Sequence, residues 1–117
     1  MDRDLFLRGI ELFNQAQFYD AHEVLEEVWR PLTGEQRIFL QGLIQVAVAL
    51  HHHSTGNLVG ARSLLGRAAK NLSRCPEVYC ALELPELRVS LETWQVALDN
   101  GQPTPPLPKL SMAPERS

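Results

Sequence analysis

A chain of 117 residues, 44% hydrophobic and 21% charged, is long enough to bury one hydrophobic core and too short for a second. Its 11 basic and 14 acidic side chains leave a formal net charge of −3, which excludes a disordered polyelectrolyte and argues against nucleic-acid binding driven by bulk charge. Met1-Asp2-Arg3-Asp4 puts acid where a signal peptide needs base, and the longest apolar run, 38–50, is broken by Gln41 and Gln45 and is too short to span a bilayer, so a soluble, cytoplasmic chain with no membrane partner is expected.

The first predicted element is a helix over 4–17, where Leu5, Ile10, Leu12 and Phe13 recur with helical rather than alternating spacing. A second helix covers 18–30 and stops before Pro31, which can neither donate a backbone bond nor follow a helical residue easily. The third, over 35–55, is apolar on most sides and must be central. Gly56-Asn57 ends it, and Leu58, Ala61, Leu64, Leu65, Ala68 and Leu72 mark a fourth helix at three- and four-residue steps. Pro76 and Pro85 bracket a short irregular segment. Leu84, Leu87, Leu91, Trp94 and Leu98 then form the stripe of a fifth helix that ends at Gly101. The remainder, 102–117, holds five of the eight prolines and reads as a tail, extended or draped over a domain of 1–101.

A shift of 40 residues lays Phe18, Ala21, Val24, Leu25 and Val28 on Leu58, Ala61, Leu64, Leu65 and Ala68, and the turns Ala16-Gln17 and Gly56-Asn57 coincide. The expected fold is all-α: a compact bundle of about five helices, two helical hairpins plus a C-terminal capping helix.

Chemistry concentrates on the second and third helices. His22 and Glu26 lie one turn apart at the edge of the apolar arc, on the same side as Trp29, while Asp20, Glu23 and Glu27 point to solvent. A His and a carboxylate at that spacing can share a metal ion, act as an acid/base pair, or simply bond to each other for structural reasons. On the third helix Gln41, Gln45 and His52 fall within about 40° of one another, with Arg37 near the same line. Buried amides need partners, so His22 and Glu26 are expected to meet Gln41, Gln45 and His52 in an internal polar cluster, with Glu23, Trp29 and Arg30 at its rim. His51 and His53 flank the stripe and are expected to cap the helix C-terminus.

Other signatures are missing. Glu26 stands where a zincin motif needs its second histidine, and no Glu-x-x-His, nucleophile elbow or phosphate loop is present. Cys75 and Cys80 make a poor zinc site and are expected as reduced thiols. Arg62, Arg67, Lys70 and Arg74 give the fourth helix a basic side that reads as a solvated face, without a nucleic-acid footprint.

The segments Phe18-Tyr19-Asp20-Ala21-His22-Glu23-Val24-Leu25-Glu26-Glu27-Val28-Trp29-Arg30 and Phe39-Leu40-Gln41-Gly42-Leu43-Ile44-Gln45-Val46-Ala47 resemble domain-of-unknown-function family 309. The resemblance implies a small all-helical fold, brings no established activity, and places family motif positions on Ala21, His22, Glu23, Glu26, Trp29, Arg30, Gln41, Gly42, Gln45 and Asn57. The family often has glycine in the turn before the second helix, where this chain has Ala16-Gln17. The favoured reading is a non-enzymatic interaction or scaffold module offering a groove or a homodimer face. The alternative is a metal-binding or hydrolytic protein whose divalent transition metal is held by His22, Glu26 and His52.

Overall fold

Asp2 starts the first helix by accepting the Leu5 N–H on its carboxylate at 3.1 Å, and α1 (Arg3–Asn14) follows in a computed structural model that describes residues 1–114. The helix closes on two bonds, Gln17 N–H to Leu12 O at 2.9 Å and Ala16 N–H to Phe13 O at 2.9 Å, which require a left-handed residue between them. That residue is Ala16, at φ 60°. Residues 15–17, expected as helix, are therefore its stop. The α2 helix (Phe18–Trp29) turns back on α1, with the Phe13 and Phe18 rings edge to face at 5.2 Å.

Helix α3 (Gly34–Ser54) ends as α1 does: Asn57 N–H donates to His52 O at 2.8 Å and Gly56 N–H to His53 O at 3.1 Å, around a Gly56 φ of 85°. The 40-residue shift seen in the sequence lays Ala16 on Gly56, so the repeat extends to the backbone bonds of both turns. Asn57 also caps α4 (Leu58–Ser73) by accepting the Gly60 N–H at 3.0 Å. Each helix packs chiefly on its chain neighbour, and α3 lies between α2 and α4 with Phe39, Leu40, Leu43, Val46, Ala47 and Leu50 buried. Its apolar character on most sides follows from that position. Gly42 lets α4 come close, since a Cβ there would lie 2.8 Å from Leu72 Cγ.

The segment between Pro76 and Pro85 is more ordered than expected. It forms a hairpin, β1 (Val78–Tyr79) with β2 (Leu82–Glu83), around Cys80 and Ala81 at φ 50° and 64°. Two consecutive left-handed residues are the geometry of a two-residue hairpin turn, here without glycine. Helix α5 (Pro85–Asp99) starts with proline at its first turn, where no donor is needed, and packs on α4.

Beyond Gly101 the chain lies on the body. Trp94 Nε1 donates to Pro106 O at 3.0 Å, Leu110 is buried, and β3 (Ser111–Met112) adds an antiparallel strand to β2. The molecule measures 43 × 26 × 26 Å, and none of its described helices is long and apolar enough to cross a membrane.

Candidate functional site

The five residues expected to converge do not meet. Of them only His22 and Glu26 stand together, with His22 Nε2 3.9 Å from Glu26 Oε1 and side-chain exposures of 19% and 40%. Gln41 is exposed. Gln45 turns to α4 rather than α2, where its Oε1 accepts from Asn71 Nδ2 at 2.8 Å. His52 also faces the start of α4, its Nδ1 3.3 Å from Asn57 Nδ2. No polar or charged side chain is fully buried among the described residues. Nor is any group of three or more His, Cys, Asp and Glu side chains placed there to hold a metal ion, so His22, Glu26 and His52 do not form a common ligand set. Gln45 finds its partner across the α3–α4 contact and Gln41 is left in solvent, which answers the burial cost that prompted the expectation.

The three consecutive histidines separate, as the helical step of about 100° requires. His51 lies against the Tyr19 ring of α2 at 5.4 Å, His52 against Asn57, and His53 edge to face with Trp94 of α5 at 5.0 Å. They do not cap their helix. Ser54 Oγ donates to His51 O at 2.6 Å and Thr55 Oγ1 to His52 O at 3.0 Å, alongside the backbone bonds of the stop. Hydroxyls at the last turn reach those carbonyls over a shorter path than an imidazole can.

What α2 and α3 do assemble is a surface row. Tyr19 stands between His22, at 5.1 Å, and His51, and is 53% exposed. His22 Nδ1 lies 2.6 Å from Tyr19 O. A carbonyl only accepts, so Nδ1 carries the proton, and in the neutral ring the lone pair sits on Nε2, facing Glu26. The hydrogen bond and charge of Glu23 push the Tyr19 phenol above its ordinary value. The row thus offers a phenol, an imidazole lone pair and two carboxylates on rigid helices. Tyr19 was not among the expected site residues, although its three-residue spacing from His22 places both on one helix face.

At the other end of α2, the expected rim residues Trp29 and Arg30 meet Arg37. The Arg37 guanidinium lies 3.7 Å from the Trp29 ring centroid, and Nη1 donates to the carbonyls of Leu32 (3.1 Å), Arg30 (3.3 Å) and Trp29 (3.4 Å). The Arg30 side chain itself is exposed, as is Glu23. Both cysteines are free, and burial pushes both thiols up. Cys75 lines a cavity of about 220 Å³ with Glu35, Ile38, Arg74 and Tyr79, at the opposite end of α3 from the histidines.

The family described as a domain of unknown function, DUF309, matches residues 6–64, which run from α1 into α4. Similar proteins include an uncharacterised protein of Aquifex aeolicus (strain VF5), 34% identical over 92 residues that make up 78% of this chain and 28% of that protein. Another is the uncharacterised protein YpuF of Bacillus subtilis (strain 168), 35% identical over 65 residues, 54% of this chain and 37% of its own. The chain therefore spans well under half the length of these relatives. The matched residues carry both helix stops, the Tyr19–His22–His51 row and the Arg37 clamp, and through them the chain belongs to the DUF309 family.

Proposed function

We propose that the protein is a non-enzymatic interaction module that binds a partner through the exposed α2–α3 edge. The observation that carries this is the row in which half-exposed Tyr19 lies between the His22 and His51 rings at 5.1 and 5.4 Å. A tyrosine held by neighbouring rings loses little side-chain entropy on binding and presents both an apolar face and a hydroxyl, which suits a protein contact. Glu23 and Glu26 beside it favour a partner segment with basic or amide donors.

Photo-crosslinking tests this. With p-benzoylphenylalanine at position 19 the expected result in cells is one or a few discrete adducts, absent when the probe replaces Glu27 on the outer face of α2. Adducts that are diffuse, or identical from both positions, would overturn the reading. The metal-binding alternative rests on the free Nε2 of His22 beside Glu26. Zinc bound at one equivalent in a titration calorimeter, and lost in both His22→Ala and Glu26→Ala, would replace the interaction module with that alternative.

A further inference from the structure

The α4–α5 side of the molecule carries a groove that the α2–α3 edge does not use. Gly66 and Ala69 from α4 and Leu91 from α5 line a cavity of about 390 Å³. Through Gln95 it continues into a second of about 330 Å³ beside Val59 and the Arg62–Asp99 pair. Val59 is 80% exposed at one rim. Val96, 49% exposed, stands on the other, about 40° around α5 from Glu92 in the lining.

The two walls differ in charge. Helix α4 carries Arg62, Arg67 and Lys70 and no acid, whereas α5 carries Glu86, Glu92 and Asp99 against Arg88 alone. Arg62 and Asp99 neutralise each other at 3.0 Å, and Arg88 is occupied by the carbonyls of Leu72 and Cys75. Among the described residues Lys70, beside the α4 wall, and Glu92, in the α5 wall, have no ion-pair partner. Arg62 opposite Asp99 and Gly66 opposite Gln95 set the antiparallel register, so Lys70 and Glu92 stand at about the same height on facing walls.

The geometry points to a second copy of this chain as the occupant, docked face to face about a two-fold axis that runs along the groove. That axis lays α4 of one copy over α5 of the other and brings Lys70 of each opposite Glu92 of its mate. An axis across the groove would set basic wall on basic wall. Charge therefore selects one of the two symmetric arrangements, and the exposed valines supply apolar area to bury. The inference does not depend on the α2–α3 reading, and a dimer built this way would present two such edges.

Sedimentation equilibrium on the full chain tests it. The weight-average mass is expected to climb from 13.2 kDa toward twice that value between low micromolar and millimolar concentration, less steeply at high salt. Gly66→Gln puts a side chain into the groove from a position where a Cβ meets nothing nearer than Gln95 Oε1 at 3.8 Å, so the α4 backbone need not shift to admit it. It and Lys70→Glu are each expected to move the midpoint at least about tenfold to higher concentration, and Lys70→Glu with Glu92→Lys in one chain to restore it. Circular dichroism melts at low concentration check that each variant folds. A mass of one chain throughout, or self-association that ignores both single variants or responds only to Tyr19→Ala, would overturn the proposal.

Discussion

Arg37 joins two helices with one guanidinium. Its Nη1 donates to the Trp29, Arg30 and Leu32 carbonyls at and just beyond the end of α2, where helical donors run out, while its plane covers the Trp29 ring at 3.7 Å. Arg37→Ala removes both and is expected to cost about 2 kcal/mol in urea unfolding, with Arg37→Lys in between because an ammonium cannot stack as a plane. Ala16 points the other way. An alanine held at φ 60° bears a strain that Gly56 avoids at the matching position, so Ala16→Gly is expected to raise stability by about 1 kcal/mol. A midpoint that falls instead would show that the α1 stop is not strained. The sequence marked both turns through their 40-residue offset, but the role of Arg37 was hidden, because a cap made across a turn depends on a rotamer rather than on spacing.

Two glycines within helices show how packing sets the sign of the same substitution. At Gly42 a Cβ would lie 2.8 and 2.9 Å from Leu72 carbons, and Leu72 is itself fully buried, so neither side can yield cheaply. Gly42→Ala is expected to cost about 1–3 kcal/mol despite the better helix propensity of alanine. Gly66→Ala, whose Cβ meets only Gln95 Oε1 at an unstrained 3.8 Å, is expected to gain up to about 1 kcal/mol at concentrations where the chain is monomeric. Thermal melts of the two variants should shift in opposite directions. Periodicity was sufficient to place all five helices. It could say that Gln41, Gln45 and His52 share one arc of α3, but not which neighbour that arc faces, since a central helix has one on each side. Gln45 found Asn71 on α4, and His22 and Glu26 were left at the surface. The two-residue strands were beyond any periodicity, being no longer than a single repeat of the pattern that would reveal them.

Across the whole molecule the open question of organisation is whether 1–101 folds alone, with the rest as an appendage. The proline content of 102–117 suggested a tail, and its described part is held at both ends. Pro106 O takes the Trp94 indole N–H at 3.0 Å. Further on, Asn14 pairs with Leu110 as one strand residue pairs with another, Nδ2 to Leu110 O at 2.9 Å and Leu110 N–H to Oδ1 at 2.7 Å. Lys109 Nζ donates to Asn14 O at 2.8 Å, so the strap closes over the end of α1 where the left-handed stop begins. Truncation after Gly101 would expose the site of Leu110 and leave the Trp94 N–H without its acceptor. It is expected to cost about 3 kcal/mol or more and to red-shift Trp94 emission, read in a Trp29→Phe background. Asn14→Ala, which keeps the strap but unpairs both Leu110 backbone groups, should lose about 1–2 kcal/mol with little change in emission. An unchanged unfolding midpoint in the truncated chain would make 1–101 the whole folding unit. A joint loss would make the strap part of the fold, with Asn14 as the residue that ties the last part of the chain to the first helix.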